Sequence, residues 1–203
     1  MKEDSEVRWA PLTARTFADF ELVMGANGGA RGCWCMHWRV PFPEWQRGRG
    51  SGNRERMAER AASDPPPGVV CYLRGEPVGW VGIGERAEYR RMQRSPVMRP
   101  VDDVPAWVIS CIYLRRGYRR RGLQAGMIEA ACEFAAGYGQ HTVDAYPVDP
   151  ADGRLAGADN AMTGIASAYR AAGFTELGRA KADRPVMRRV VAAGVVGSPA
   201  PSG

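Results

Sequence analysis

The fold follows from the stretch Leu114-Arg115-Arg116-Gly117-Tyr118-Arg119-Arg120-Arg121-Gly122-Leu123-Gln124-Ala125-Gly126. An apolar run from Trp107 to Leu114 precedes it and predicts a buried strand, and apolar residues at helical spacing follow it. These helical positions are Leu123, Met127, Ala130, Ala131 and Phe134. A basic, glycine-containing turn between a strand and a helix forms an anion site, because free N–H groups and the helix dipole face the ligand. The sequence therefore predicts that a phosphate-carrying molecule binds here.

The same turn carries a family resemblance. Gly122 lets the backbone approach a ligand where a Cβ would intrude, and Arg119, Arg120 and Arg121 raise the positive potential. The segment resembles the acyl-coenzyme A signature of the GNAT acyltransferase superfamily, Gln/Arg-x-x-Gly-x-Gly/Ala between a strand and a helix. Arg119 and Gly122 match this signature. Gln124 stands where the signature has Gly or Ala, which adds a side chain near the pyrophosphate.

A second match lies about fifty residues further on, from Ile165 to Phe174. It resembles the late helix of the same superfamily, which ends in Tyr-x-x-x-Gly-Phe before a strand. Tyr169 and Gly173 match, and Gly173 is predicted to be a left-handed C-terminal cap. The Asn that the family usually has near the start of this helix falls around Met162, so that Asn is not assigned. The resemblance covers roughly residues 7–191.

Length and composition agree with one enzyme-sized domain. The 203 residues suit a single full core, and we predict a domain at 1–192 and a flexible tail at 193–203, where Gly, Ser, Pro and Ala dominate. No run approaches the roughly eighteen uncharged apolar residues that cross a membrane. The charged N-terminus lacks an apolar signal core, and five unpaired cysteines suit a reducing compartment, so we expect a cytoplasmic protein.

The net charge of +6 is carried almost wholly by arginine, which suits a polyanionic cofactor. The expected partner is a small-molecule amine, with no nucleic acid and no membrane, and homodimer formation is left open. An arginine-rich nucleic-acid binder is a competing interpretation. It predicts binding that weakens steeply with salt.

The order of predicted elements is α/β. The resemblance implies the GNAT fold, a mixed, twisted sheet with splayed central parallel strands and helices on both faces. Thr13 is predicted to cap a first helix that ends at Gly25, and a hairpin is predicted to turn at Gly75-Glu76. The segments 85–105 and 146–162 are long for loops, which predicts functional lids or disorder.

The resemblance implies acetyl-CoA as co-substrate, and it assigns roles along the chain. The pantetheine arm would bond to the strand backbone, and one strand amide would polarise the acetyl carbonyl. The strand residues are Ile112, Tyr113 and Leu114, and the N–H groups that hold the pyrophosphate belong to Arg119, Arg120, Arg121, Gly122, Leu123, Gln124 and Ala125. By family position Tyr169 donates the proton to the leaving thiolate. The alternative is that Tyr169 only packs.

The general base is not fixed by the sequence. The strand from Trp107 carries no Asp or Glu, so a carboxylate in that strand is absent. The nearby acids are Asp144, Asp102, Asp103 and Glu85. A water relay from solvent stands beside them as an equal candidate.

The run Cys33-Trp34-Cys35-Met36-His37-Trp38 combines thiols, an imidazole and large rings. A structural zinc site takes about four ligands, in pairs about two to four residues apart, and the run does not fit that pattern, so no metal is expected. Trp34 and Trp38 either form a wall of the acceptor site or cover the edge of the core. Asp144 and Tyr146 are further candidates for substrate contact.

The resemblance implies an N-acetyltransferase that acts by direct transfer in a ternary complex, without an acyl-enzyme, as is usual in the family. The acidic residues Asp149, Asp152 and Asp159 would attract a cationic amine. The alternative is that the run from Asp149 to Gly153 only forms a turn. A protein N-terminus or a lysine is an alternative acceptor. A catalytically degenerate acyl-CoA-binding module that regulates a partner is a further alternative from another class.

Overall fold

The computed structural model describes residues 7–150 and 161–191, and the predicted tail at 193–203 lies outside them. Its centre is a seven-stranded sheet in the order β1-β2-β3-β4-β5-β7-β6. The strands are β1 (Val7–Pro11), β2 (Gly68–Leu73), β3 (Glu76–Glu85), β4 (Trp107–Leu114), β5 (Thr142–Ala145), β6 (Thr175–Lys181) and β7 (Arg184–Val190). Neighbouring strands are antiparallel except β4 and β5, which are parallel. The predicted mixed α/β sheet is confirmed.

Helices cover both faces of this sheet. They are α1 (Phe17–Met24), α2 (Phe42–Arg47), α3 (Ser51–Arg60), α4 (Arg90–Gln93), α5 (Leu123–Gly137) and α6 (Ala166–Ala171). On one face Phe20 of α1 meets Trp80 of β3 edge-on, with ring centroids 4.8 Å apart. On the other face α5 and α6 bury their apolar side chains against β2, β3 and β4. No helix in the described part of the chain has the length and apolar character to span a bilayer.

Strand β4 changes the direction of its side chains at Ser110. Ile109 and Cys111 pair with adjacent residues of β3, so Ser110 is the extra residue of a β-bulge. As a result Ile109 and Ile112 both pack on the α5 side, although they are three residues apart. Cys111 packs on the α1 side instead. The bulge therefore sets which side chains face each half of the molecule.

The predicted cap of the first helix is wrong by one turn. The hydroxyl of Thr16 accepts a hydrogen bond from the Thr13 amide at 2.9 Å and donates one to the Pro11 carbonyl at 2.7 Å. These bonds hold Thr13 in a turn before the helix. The helix begins at Phe17 and ends as predicted at Gly25, which has φ 63°.

The hairpin between β2 and β3 turns one residue earlier than predicted. Arg74 and Gly75 occupy the turn with φ of 53° and 80°. Two consecutive positive φ angles match the right-handed twist of the flanking strands. At Gly75 the absence of a side chain allows such an angle without strain. Glu76 is already the first residue of β3.

The segment 85–105 is part of the folded core. It contains a short 3₁₀ turn and α4, and its side chains Tyr89, Met92 and Met98 are fully buried against Val108 and Tyr146. The length of this segment predicts a mobile lid or a disordered loop, but the structure shows neither in this segment. Burial of these large side chains anchors the segment over the N-terminal part of β4, around Val108.

We expect Met98→Ala to lower the free energy of unfolding by about 2 to 3 kcal/mol, because the side chain is fully buried and its removal leaves a cavity. Urea denaturation followed by circular dichroism measures this change. Arg99→Ala, at the exposed neighbouring residue, is the matched control and should leave stability nearly unchanged. Equal stability of the two variants would show that the segment is only loosely attached.

Candidate active site

The central parallel strands separate after a short paired region. Strands β4 and β5 pair only from Trp107 to Ile109 on the β4 side. Strand β4 then runs on to Leu114, while the chain after β5 turns away and Val148 bridges Ile165. Within residues 7–150 and 161–191, the edge of β4 beyond Ile109 has no strand partner on this side. Its backbone groups can therefore bond to an inserted ligand.

The N-terminus of α5 lies just beyond the end of β4. Gly122 is its N-cap, with φ 75°, and no side chain caps the helix. A Cβ built on Gly122 would meet no atom within 4 Å, so the left-handed φ, rather than crowding, is what favours glycine here. The first turn carries no acidic residue. Its uncapped N–H groups and the helix dipole are available to an anion.

The arginines of the turn have different roles. Arg119 Nε donates to the Leu114 carbonyl at 2.8 Å, and its guanidinium lies 5.4 Å from the centre of the Tyr113 ring. Arg119 therefore fixes the turn against the end of β4 and already occupies one lone pair of that carbonyl. Arg120 and Arg121 are exposed and can approach phosphate oxygens.

Gln124 spans the opening between two helices. Its side-chain oxygen accepts a hydrogen bond from the Ile165 amide at 3.4 Å, just before α6. The extra side chain at this signature position therefore bridges α5 to α6. Leu123 packs against the core, and Ala125 is partly buried behind it.

A short 3₁₀ turn at Ala161–Thr163 lies beside the open edge of β4. A Cβ on the next residue, Gly164, would come within 2.8 Å of the Tyr169 ring and 3.0 Å of Ile112 Cδ1. Only glycine fits there, which lets the turn pack closely on the strand. The hydroxyl of Thr163 is buried and has no hydrogen-bond partner within the part of the chain that the structure describes. An unsatisfied buried hydroxyl at this position fits an amide-containing ligand arm.

Tyr169 is completely buried beneath this turn. Its hydroxyl donates to the Thr163 carbonyl at 3.0 Å, and its ring meets Phe174 edge-on at 5.0 Å. Burial raises the pKa of this phenol well above its usual range, so it is protonated at neutral pH. Gly173 has φ 79°, which confirms its predicted left-handed conformation.

The loop between α1 and α2 covers the other side of β4. Gly29 approaches the ring of Tyr113, since a Cβ there would lie 3.7 Å from the ring carbons. Residues 26–27, 29–32 and 49–50 line an open depression of about 700 Å³ next to this contact. A depression of this volume accommodates a small molecule.

The predicted aromatic wall is largely internal. Trp34 is 7% exposed, and its ring lies 5.9 Å from that of Phe20 in the core under the loop. Trp38 is partly exposed and meets His37 edge-on at 4.6 Å. Trp34 therefore covers the edge of the core, whereas Trp38 keeps some exposed surface.

Asp144 belongs to an ion-pair network. Its carboxylate is 1% exposed and accepts two hydrogen bonds from Arg188, at 2.7 and 3.0 Å. Arg86 bonds to the same carboxylate at 3.3 Å and to the hydroxyl of Tyr146, whose pKa burial raises to about 12. Asp102 binds the outer side of Arg188. The hydrogen bonds from Arg188 lower the pKa of Asp102, which makes Asp102 a poor proton acceptor.

Two of the predicted general-base candidates lie outside this network. Glu85 at the end of β3 and Asp103 are both exposed. Asp149 is bound by Arg170 and Arg179, and these hydrogen bonds lower its pKa to about 2. In the described ranges, no group of three or more His, Cys, Asp or Glu side chains is arranged to hold a metal ion.

Sequence reasoning missed Thr163 and Gly29. The resemblance points to Met162, around which the family has Asn, and Thr163 with its buried hydroxyl is the next residue. For Gly29 a signal exists, because Asn27-Gly28-Gly29 is a strong turn former, but nothing local indicates that the turn covers Tyr113.

Comparison with known proteins identifies the family and the fold. The model of the acetyltransferase (GNAT) family matches residues 34–154. The PaiA N-acetyltransferase from Thermoplasma acidophilum, solved with coenzyme A, is 10% identical with a TM-score of 0.50, and the match covers 91% of this chain and 98% of that one. AAC(6')-Ib, solved with ribostamycin and coenzyme A, is 14% identical with a TM-score of 0.51, covering 91% and 93%.

A third solved structure, described as histone acetyltransferase HPA2 and related acetyltransferase from Corynebacterium glutamicum, is 15% identical with a TM-score of 0.52. That match covers 94% of this chain and 99% of the other. A search of curated proteins found no match. At these identities the structures establish the shared fold alone. Because the family model matches more than half of the sequence, the protein belongs to the GNAT acetyltransferase family and is an acyltransferase.

Proposed function

We propose that this protein transfers the acetyl group of acetyl-CoA to a primary amine of a small molecule, by direct attack in a ternary complex. The observation that carries the proposal is the opening between β4 and β5 beside the uncapped N-terminus of α5. It offers strand backbone for an amide-containing arm and helix N–H groups for phosphates. Relatives of the same fold were solved with coenzyme A.

The coenzyme would be held mainly by backbone groups. In this proposal the first turn of α5 binds the pyrophosphate, Arg120 and Arg121 add positive charge, and the open edge of β4 binds the pantetheine arm. The free hydroxyl of Thr163 supplies one more hydrogen bond beside that edge. An amide of β4 just beyond the bulge polarises the thioester carbonyl.

The leaving thiolate would receive a proton from Tyr169. Because burial keeps the phenol protonated, it is present as a donor at neutral pH. Full transfer to a thiolate is uphill, since a phenol is the weaker acid. A hydrogen bond that forms as charge develops on sulfur still lowers the barrier. For this the hydroxyl must leave its present acceptor, the Thr163 carbonyl.

The acceptor would enter from the side of the α1–α2 loop. The depression lined by residues 26–27, 29–32 and 49–50 has the volume of a small-molecule site and adjoins Tyr113. Since Asp144 and Asp102 are held by arginine, a water relay, with Glu85 or Asp103 at its outer end, is the proposed route for the amine proton.

The test is a panel of primary amines, with release of coenzyme A measured by chromatography. We expect turnover with at least one small amine, and initial-rate plots that intersect, because both substrates must bind before reaction. A panel of peptides with free N-termini or lysines is run in parallel. Turnover of peptides alone would replace the small-molecule acceptor with a protein one.

Two other outcomes would contradict the proposal. Tight binding of acetyl-CoA without turnover on any amine favours a regulatory acyl-CoA-binding module. Parallel initial-rate plots, together with an acetylated protein isolated without acceptor, would replace direct transfer with an acyl-enzyme mechanism.

A further inference from the structure

A buried arginine lies under the α1–α2 loop. Arg39 is 1% exposed, and its Nη2 donates to the Pro67 carbonyl at 2.8 Å and to the Tyr89 hydroxyl at 3.1 Å. Its Nη1 binds Glu88, and Arg60 binds the same carboxylate oxygen at 3.0 Å. The Nε of Arg39 is buried and has no hydrogen-bond partner among the described residues. Two guanidinium groups thus share one carboxylate, and because that of Arg39 is fully buried, positive charge is in excess beside it.

The thiol of Cys35 lies beside this charge. A Cβ built on Gly82 of β3 would lie 2.8 Å from Cys35 Sγ and 3.5 Å from Cys111 Cβ, so the two cysteines meet over the same glycine. Cys35 is 5% exposed, whereas Cys111, next to the bulge of β4, is partly exposed. Cys35 also has φ 60°, a left-handed conformation that non-glycine residues adopt only when their surroundings hold them there.

The thiols of Cys35 and Cys111 influence each other's pKa. A hydrogen bond with Cys111 and the nearby guanidinium groups lower the pKa of the Cys35 thiol, and the same bond raises the pKa of Cys111. The charged and titratable groups that face Cys35 are Cys33 and Arg39 on its own loop, Arg60 on α3, Tyr89 before α4 and Cys111 on β4. Deprotonation of Cys35 would place a negative charge beside Arg39 and Arg60, which share only one carboxylate.

We propose that Cys35 and Cys111 form an oxidation site, a thiol pair that a peroxide converts into a disulfide linking the α1–α2 loop to the bulge of β4. Cys35 as a thiolate attacks one peroxide oxygen, the O–O bond breaks, and the departing hydroxide takes up the proton that the thiol had released, which gives a sulfenic acid and one water. The Cys111 thiol then attacks that sulfur, and its proton leaves with the departing hydroxide as the second water. Two thiols and one hydrogen peroxide thus give one disulfide and two waters.

Two other cysteines serve as internal controls. Cys71 in β2 and Cys132 in α5 are buried in the opposite half of the core, and burial raises the pKa of both thiols, that of Cys132 to about 12. Burial raises the pKa of Cys71, and Cys132, although it faces Arg189, also faces the carboxylates of Glu129 and Glu133, so both should resist peroxide.

The disulfide would tie down the loop that covers Tyr113. The inference concerns the thiols alone and does not depend on acetyl transfer, so its test needs neither coenzyme nor acceptor. If it fails, the proposed function is unaffected.

The experiment treats the whole protein with hydrogen peroxide, until glutathione in the same tube is fully oxidised, and maps tryptic peptides without reduction. We expect a peptide pair joining Cys35 to Cys111, lighter by two hydrogens and released by dithiothreitol. Cys33→Ser should keep this pair, whereas Cys35→Ser and Cys111→Ser should remove it, with circular dichroism confirming that each variant folds. Absence of the pair, or linkage through Cys33, would overturn the proposal.

A second measurement tests the electrostatic origin of the reactivity. Iodoacetamide labelling of Cys35 should reach half its maximal rate at a pH below the roughly 8.5 of an ordinary thiol. Arg60→Gln should slow labelling at neutral pH by roughly three- to tenfold, because one guanidinium is removed. Arg54→Gln, an exposed arginine on the same helix that binds Glu21, is the matched control. Equal effects of the two variants would remove the arginine pair from the explanation.

Discussion

Replacing Gly122 with aspartate is expected to lower the affinity for acetyl-CoA by roughly a hundredfold or more, while the fold is kept. The new carboxylate would stand at the N-terminus of α5, where the coenzyme pyrophosphate is proposed to bind, and would repel it. The fold should survive, because aspartate tolerates a left-handed φ and a negative charge stabilises a helix N-terminus. Calorimetric titration with acetyl-CoA measures the affinity directly.

Gly122→Asn is the matched control. Asparagine has almost the shape of aspartate and the same tolerance of the φ of 75°, but it lacks the charge. We expect it to keep most of the affinity. Equal losses in both variants would assign the effect to backbone conformation, and unchanged affinity in the aspartate variant would place the pyrophosphate elsewhere.

Tyr169→Phe should lower kcat by roughly ten- to a thousand-fold, as for loss of a single general acid. The substitution keeps the ring that packs on Phe174 and removes only the hydroxyl. Coenzyme affinity should change little, because the proposed contacts are backbone groups around α5. Steady-state kinetics with an amine from the panel, together with calorimetry, separate the two effects.

Tyr72→Phe controls for the loss of a phenol elsewhere. Its hydroxyl donates to Asp19 at 2.8 Å, on the far side of the sheet from α6. Its kcat should equal that of the unmodified protein. If Tyr169→Phe also keeps full kcat, Tyr169 only packs and solvent supplies the proton.

The sequence predicts the centre of the fold well for a physical reason. Strand β4 is found at its predicted bounds, Trp107–Leu114, because a long apolar run between polar turns has few alternatives. Helix α5 follows from strong periodicity and the basic turn before it. By contrast α2 and α4 are too short for any period to emerge, so both were missed.

The candidate site divides in the same way. Positions defined by the backbone, such as Gly122 and Gly173, are predictable because their φ angles favour glycine. Side-chain partnerships are not, since the residues lie far apart in the chain. Nothing local indicates that Asp144 is enclosed by arginines, or that Arg39 is buried beside a thiol.

The bulge at Ser110 changes how substitutions along β4 are to be understood. Counting in twos from Val108 would place Ile112 on the side of the α1–α2 loop, but Ile112 lies in the core under α5. A library meant to alter acceptor preference should vary Cys111 and Tyr113, which are partly exposed on the loop side. Losses of activity at Ile112 would instead report unfolding. One inserted residue thus separates the positions open to engineering from those that hold the protein together.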